Sequence, residues 1–199
     1  MRPVALTARM RRILIGLFLV GGVAVGLATV ACAFGDSNPS SSAGESGPRS
    51  LLEQQALEWT AQLRTDPSKA VCLLYIPSID LEMPVWEMTD ESILDRGLGH
   101  WPETFLPGRR GHMVISGHRS TFGSPLLRLD ELELGDRIGL VLPYVVAEYE
   151  VTRVLVVGPT DTEVVLPRGL EELSLVTCHP PGSAESMLVV TAGAVLFHK

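Results

Sequence analysis

The stretch Leu175-Val176-Thr177-Cys178-His179-Pro180 places a single thiol after a run of apolar and β-branched side chains. A run of this kind predicts a buried β-strand, so Cys178 is expected at a strand end. A cysteine is a strong nucleophile only as a thiolate. Cys178 therefore needs a neighbouring group that takes or balances its proton.

An imidazole about sixty residues upstream is the candidate for that group. It is His118, in Ile115-Ser116-Gly117-His118-Arg119. His179 follows Cys178 directly, but alternation along an extended strand turns it to the opposite side, which makes it a poor base for this thiol. Thr177 alternates away as well and is expected to pack or hydrogen-bond within the site. One thiol and one distant imidazole form the minimal set for nucleophilic acyl transfer.

Similar apolar, β-branched runs lie on both sides of this stretch, separated by Gly, Pro and Asp turns. Only short helices fit between them, at residues 91–96 and 124–129. Many short strands with such turns imply a barrel or a sandwich. The predicted strands cover residues 71–79, 81–86, 112–116, 137–142, 147–157, 173–177 and 187–197.

Between residues 71 and 196 a series of short motifs resembles the sortases, the cysteine transpeptidases of Gram-positive cell surfaces. The motifs occur in the family's order and at similar separations, and His-Arg followed by a Gly-Ser-Pro turn is most similar to the actinobacterial class E group. The motifs are Leu74-Tyr75-Ile76-Pro77, Gly97-Leu98-Gly99-His100-Trp101-Pro102, Gly117-His118-Arg119, Phe122-Gly123-Ser124-Pro125, Leu129-Asp130-Glu131-Leu132 and the stretch around Cys178.

The resemblance implies a mainly β fold, a closed barrel of about eight strands with short helices, and a loop that brings His118 to face Cys178. It also implies a reaction. Cys178 would attack a carbonyl in a sorting signal of the Leu-Pro-x-Thr-Gly or Leu-Ala-x-Thr-Gly kind, and His118 would protonate the departing amine. An amine of a cell-wall precursor or a pilin-like lysine would then open the thioester, with water as a slow alternative.

One position departs from the family pattern. Sortases carry an arginine early in the strand after the cysteine, and Met187 occupies that place here. Losing a donor to a developing oxyanion costs about 10² to 10³ in rate. Arg119, Arg128, Arg168 or backbone N–H groups are the candidate replacements. The alternative function is a sortase-fold module that binds peptides or assembles surface proteins with little or no catalysis.

The N-terminus is predicted to hold a membrane anchor. Residues 13–34 are uncharged over 22 positions, long enough to cross a hydrocarbon core of ~30 Å, and four arginines with no acidic residue precede them. We therefore expect residues 1–34 to form a cytoplasmic flank and anchor, with the remainder extracellular. Ala31-Cys32-Ala33 leaves two alternatives open: cleavage by a signal peptidase, or lipidation of Cys32.

Residues 35–69 are predicted to form a stalk and an amphipathic helix, ahead of a catalytic domain at residues 70–199. The first part is rich in Ser, Gly and Pro. Ser50-Leu51-Leu52-Glu53 is a capping-box pattern, and Asp66-Pro67 ends the helix. Its apolar face, which includes Trp59, would dock on the barrel, bind a partner or lean on the membrane.

Charge and cysteine usage exclude several classes of function. The four N-terminal arginines account for four of 16 basic residues, which leaves 12 against 23 acidic residues, a balance of −11 that argues against nucleic-acid binding. Cys72 lies in an apolar run and is expected to be buried. Cys178 then has no disulfide partner. No Cys/His group has metal-ligand spacing, so no metal or cofactor is expected.

The charge asymmetry around residues 13–34 predicts that the full-length protein fractionates with membranes. Protease added outside protoplasts should digest its C-terminal domain. A soluble form that begins at Phe34 would instead show that Ala31-Cys32-Ala33 is a cleavage site.

Overall fold

The computed structural model describes residues 50–199, in which eight strands form one closed barrel. The strand order around the barrel is β1-β2-β3-β4-β7-β8-β6-β5. The predicted closed, mainly β barrel of about eight strands is confirmed. The strands are β1 (Ala70–Ile76), β2 (Leu81–Glu87), β3 (Leu98–His100), β4 (His112–Gly117), β5 (Arg137–Leu142), β6 (Val145–Val157), β7 (Glu172–His179) and β8 (Ser186–His198).

Most neighbouring strands are antiparallel, but two pairs are parallel. β3 runs parallel to β2, and β4 runs parallel to β7. The β4–β7 pairing extends from His112 opposite Glu172 to Ser116 opposite Val176. A parallel pair needs a long crossover connection, and here β5 and β6 are part of that connection. The chain therefore returns to β4 only after six of the eight strands.

Strand alternation divides the apolar side chains into two groups. Leu173 and Leu175 of β7 belong to the main core inside the barrel. Val176 belongs to a smaller outer cluster with Val114 and Val189, against which Met187 packs. Because successive side chains of a strand point to opposite faces, Cys178 shares the outer face with Val176.

An N-terminal helix, α1 (Leu51–Thr65), docks on the barrel. The Ser50 hydroxyl accepts a hydrogen bond from the Glu53 backbone N–H at 3.2 Å, which confirms the predicted N-cap. Leu63 is buried in the main core, and the Trp59 indole N–H donates to the Val71 carbonyl at 3.0 Å. The apolar face of α1 therefore packs against the barrel, which was the first of the three alternatives predicted for it.

Two local predictions are wrong. Residues 124–129 do not form a helix, because Phe122, Gly123 and Ser124 all have positive φ and Pro125 lacks an N–H. The segment closes i to i+3 turns instead, such as Leu127 N–H to the Ser124 carbonyl, followed by a 3-10 turn at Leu129–Glu131. In addition, Leu98–His100, which are not among the predicted strands, form strand β3. The helix predicted at residues 91–96 is the shorter α2 (Glu91–Leu94).

The predicted anchor at residues 13–34 lies outside the described residues and stays a prediction. Within residues 50–199, neither helix is long and apolar enough to cross a membrane.

Candidate active site

The parallel pairing of β4 with β7 brings His118 and Cys178 to corresponding positions. The last paired residues are Ser116 and Val176, and the two candidate site residues each lie two positions further along. Neighbouring strands are about 4.8 Å apart, so residues sixty apart in sequence become neighbours. Cys178 is half-buried and has no disulfide partner among the described cysteines. The structure thus brings both predicted site residues to one end of the barrel.

A carboxylate and an aromatic ring flank His118. The Asp95 carboxylate Oδ1 lies 3.5 Å from His118 Nε2, which is ion-pair distance but longer than an aligned hydrogen bond. The Phe122 ring lies 5.1 Å from the imidazole, centroid to centroid, with the two planes tilted by 34°. Phe122 holds this position in a left-handed backbone conformation, with a φ of 49°. These two groups restrict the orientation of the imidazole.

On the opposite side of β7, the residues adjacent to Cys178 bond to those adjacent to His118. Thr177 is buried, and its hydroxyl donates to the Gly117 carbonyl at 2.8 Å. The Arg119 guanidinium donates to His179 Nδ1 at 2.7 Å. The prediction that Thr177 hydrogen-bonds within the site is confirmed. His179 is engaged by a cation, which agrees with its exclusion as the base for Cys178.

Met187 lies directly across the β7–β8 ladder from Cys178. Side chains of directly opposed residues share one face of a sheet, so Met187 faces the same side as the thiol. On its other flank Met187 is paired with Val157 of β6. The position at which the resemblance leads us to expect an arginine is therefore beside the thiol, where Met187 presents a thioether without a donor.

The three arginines proposed as replacements all have other partners. Arg119 forms an ion pair with Asp130 at 2.7 Å in addition to its bond to His179. Arg128 donates to both carboxylate oxygens of Glu131 and to the Ile79 carbonyl. Arg168 is paired with Glu172, which lies six residues before Cys178, or roughly 20 Å along an extended strand. None of the three occupies the place of the missing donor.

A mainly apolar cavity of about 140 Å³ lies on the outer face, and its lining includes Val176 and Met187, the neighbours of Cys178 on that face. The connection between β6 and β7, with its 3-10 turn at Thr162–Val165, forms one wall. Its volume is smaller than the roughly 300–1,000 Å³ of sites that enclose a whole small molecule. It suits an apolar side chain of a longer ligand. The apolar residues lining it include Trp101, Val157, Val165, Val176, Met187 and Val189.

A buried histidine anchors the β6–β7 connection. His112 Nδ1 lies 3.3 Å from the Leu166 carbonyl, and Nε2 lies 2.8 Å from the Ser174 hydroxyl. A carbonyl only accepts, so Nδ1 carries the proton and Nε2 accepts from Ser174. The Ser174 hydroxyl also lies 2.9 Å from the Thr191 hydroxyl. This series of hydrogen bonds joins β4, β7 and β8 to the wall of the cavity.

The sortase-domain family model matches residues 74–195, more than half of the chain, and this range includes His118 and Cys178. The chain belongs to the sortase family. It is 37% identical over 121 residues to Sortase D of Bacillus subtilis (strain 168), covering 60% of each chain. It is 28% identical over 141 residues to Sortase SrtE1 of Streptomyces coelicolor, covering 63% of this chain and 40% of that one.

Solved sortase structures have the same fold. Sortase E1 from Streptomyces coelicolor with a tripeptide in the active site aligns with a TM-score of 0.62 at 27% identity, over 66% of this chain and 91% of that one. Sortase A from Corynebacterium diphtheriae aligns with a TM-score of 0.63 at 29% identity, over 70% and 68%. The predicted membership of the sortases, with similarity to class E, is confirmed. The matches span 40% to 61% of the length of the three curated relatives.

Three features of this sortase site were missed by reasoning from sequence. Asp95 ends a four-residue helix, and its signal was only a short helix closed by Gly97. The bond from Arg119 to His179 joins residues sixty apart. Arg153 of β6 has shielded Nε and Nη2 atoms with no hydrogen-bond partner in the described part of the chain. None of these three features produces a periodic pattern in the local sequence.

We expect His112→Gln to make stability less sensitive to acid. Burial lowers the pKa of His112. The hydrogen bond to the Leu166 carbonyl and the charge of Glu172 oppose this effect, and the nearby arginines Arg168 and Arg153 add to it. The unfolded chain therefore binds this proton at higher pH than the folded chain. The contribution of neutral His112 is complete above its ordinary pKa of about 6.5 and is lost as the pH falls toward the lower folded value.

Melting temperatures of parent and variant at pH 8 and at pH 5.5 test this expectation. The drop on acidification should be smaller in His112→Gln. Burial raises the pKa of Glu171, which has the opposite effect on stability, but that carboxyl is common to both proteins and cancels in the comparison. An equal drop in both would contradict a neutral, buried His112.

Proposed function

We propose that this protein is a membrane-anchored cysteine transpeptidase that cleaves a C-terminal sorting signal of surface proteins and transfers the acyl group to an amine. The observation that supports this most is the β4–β7 pairing, which places Cys178 near the end of β7 and His118 just past the end of β4 at corresponding positions. The carboxylate of Asp95 and the ring of Phe122 orient the imidazole. The site contains a nucleophile, a proton carrier and a recess for an apolar side chain.

The reaction proceeds in two balanced steps. The Cys178 thiolate attacks the scissile carbonyl carbon, the C–N bond breaks, and His118 gives a proton to the leaving amine. A second amine then attacks the thioester carbon, gives up a proton to His118, and releases the thiolate. Covalent catalysis of this type keeps the acyl group activated until the acceptor arrives, so an amine competes with water.

The outer cavity supports a peptide substrate with an apolar residue near the scissile bond. Val176 and Met187 line the cavity and are also the neighbours of Cys178 on the same face. A leucine of a Leu-Pro-x-Thr-Gly-like or Leu-Ala-x-Thr-Gly-like signal suits this recess. Burying such a side chain contributes about 1.5–3 kcal/mol. The leucine side chain would displace water from this apolar recess, and release of that water would favour peptide binding.

The proposed place of action is the outer face of the cell membrane. The basic flank before residues 13–34 supports an N-terminus in the cytoplasm and a domain outside. The acyl acceptor would be an amine of a cell-wall precursor or a lysine of a pilin-like protein. A peptide-binding module with little catalysis is the second candidate, and Met187 beside the thiol is the observation that favours it.

We expect the full-length chain, in detergent, to form a thioester on Cys178 with sorting-signal peptides. Mass spectrometry should show an acyl adduct that hydroxylamine removes, and Cys178→Ala should abolish it with little change in melting temperature. Cys72→Ala is the matched control, because burial raises the pKa of the Cys72 thiol and keeps it unreactive. Turnover that survives Cys178→Ala would contradict the cysteine mechanism, and peptide binding without an adduct would favour the binding module.

Met187→Arg should raise kcat/KM by ~10-fold or more if the site merely lacks a donor. The new guanidinium would lie beside Cys178 and offer N–H groups to the developing oxyanion, short of the full donor effect because its surroundings are apolar. Met187→Leu is the matched control and should leave the rate within a few-fold of the parent. A flat or reduced rate in Met187→Arg would show that another donor already serves the oxyanion.

A further inference from the structure

Two side-chain bonds bracket the candidate catalytic pair on the inner side of the strands. Thr177 bonds to Gly117, one position before Cys178 and His118. Arg119 bonds to His179, one position after them. Cys178 points outward from β7, whereas Thr177 and His179, which make these bonds, lie on the inner face of the strand. The second bond joins two side chains, one on the last residue of β7 and one on the second residue after β4.

The chemistry of the second bond makes it directional. A guanidinium has five N–H donors and no acceptor, so His179 must accept through the lone pair on Nδ1. Its proton is therefore on Nε2. Arg119 is only 2% exposed, which leaves water little access to the guanidinium. A second atom of the same group, Nη2, lies 2.7 Å from Asp130 Oδ2 in the 3-10 turn at Leu129–Glu131.

A further contact joins the same two segments. The Ser120 hydroxyl accepts a hydrogen bond from the Gly182 backbone N–H at 2.9 Å. Ser120 follows the histidine loop and Gly182 follows β7, so the two segments stay together beyond the last paired residues. Ser120 and Gly182 are both exposed in this contact, whereas the bond from Arg119 is shielded. The shielded bond therefore has the stronger influence on the spacing of the loops.

We propose that Arg119 and His179 are positioning residues for the transpeptidation reaction. Their bond fixes the distance between the loop that carries His118 and the strand that carries Cys178. His118 lies just past the end of β4, where the β-ladder no longer holds the backbone. A displacement of about 1 Å between reacting groups can cost about 10²-fold in rate. This proposal rests on the proposed function, in which His118 and Cys178 act together.

The test uses three variants of the full-length chain. His179→Leu removes the acceptor and leaves Arg119 without it. His179→Gln supplies an amide oxygen that accepts from Arg119 and should retain the bond. The double variant Arg119→Met with His179→Leu replaces the pair by apolar side chains, a change that cores often tolerate. Melting temperatures measured in parallel separate loss of position from loss of folding.

The main readout is the rate at which iodoacetamide alkylates Cys178 as a function of pH. Peptide mapping separates this thiol from Cys32 and Cys72. Only the thiolate displaces iodide, and near pH 6.5 a thiol without a neighbouring base or cation is almost entirely protonated. The rate at this pH therefore reports how well His118 is placed. This measurement needs no peptide substrate. A failed transpeptidation assay would therefore count against the proposed function without deciding the role of Arg119 and His179.

We expect His179→Leu and the double variant to lower the alkylation rate near pH 6.5 by roughly 10-fold, the same loss that we expect of His118→Ala, a reference variant without the imidazole. His179→Gln should stay close to the parent. In the peptide assay the same two variants should lower kcat by up to about 10²-fold with a smaller effect on KM. A parent-like pH profile in a folded double variant would overturn the proposal. So would a folded His179→Gln protein that is as slow as His179→Leu.

Discussion

The parallel pairing of β4 with β7 is the constraint on which the site depends. It places Ser116 opposite Val176, and only because of this register do His118 and Cys178 occupy corresponding positions. Parallel neighbours cannot be joined by a tight turn. The barrel therefore has to build β5 and β6 before β7 can return to β4. The cost of this long-range closure is compensated by the apolar interior, to which β7 contributes Leu173 and Leu175.

Alternation along β7 then assigns separate tasks to its two faces. The inner face holds Thr177 and His179, which bond to the histidine segment and set its distance. The outer face holds Cys178 and Val176, and Val176 lines the apolar cavity. A shift of register by one residue would exchange these faces and place the thiol inside the barrel. Register and chemistry are therefore coupled in this strand.

Reasoning from sequence succeeded where a signal is local and failed where a contact is distant. The Ser50 cap and the strand around Leu175 follow from patterns within a few residues, and both are present. The turns at residues 124–129 were mistaken for a helix because composition does not reveal three successive residues with positive φ. The bond from Arg119 to His179 was missed because its partners are joined only by the completed barrel. The resemblance to the family supplied some of this long-range information, because it implied a closed barrel in which His118 faces Cys178.

Met187 shows why a donor and a recess compete for one position. Its side chain lies beside Cys178 and also lines the apolar cavity with Val157 and Val189. A guanidinium there would stabilise a developing oxyanion but would have to be held next to valines, where desolvation of a charge is costly. Methionine has the opposite effects: its side chain extends the apolar lining of the recess, and it offers no N–H donor to the reacting carbonyl. In the proposed reaction, backbone N–H groups near the end of β7 are then the candidate donors to the oxyanion, and the same β4–β7 and β7–β8 pairings that place the thiol set their positions.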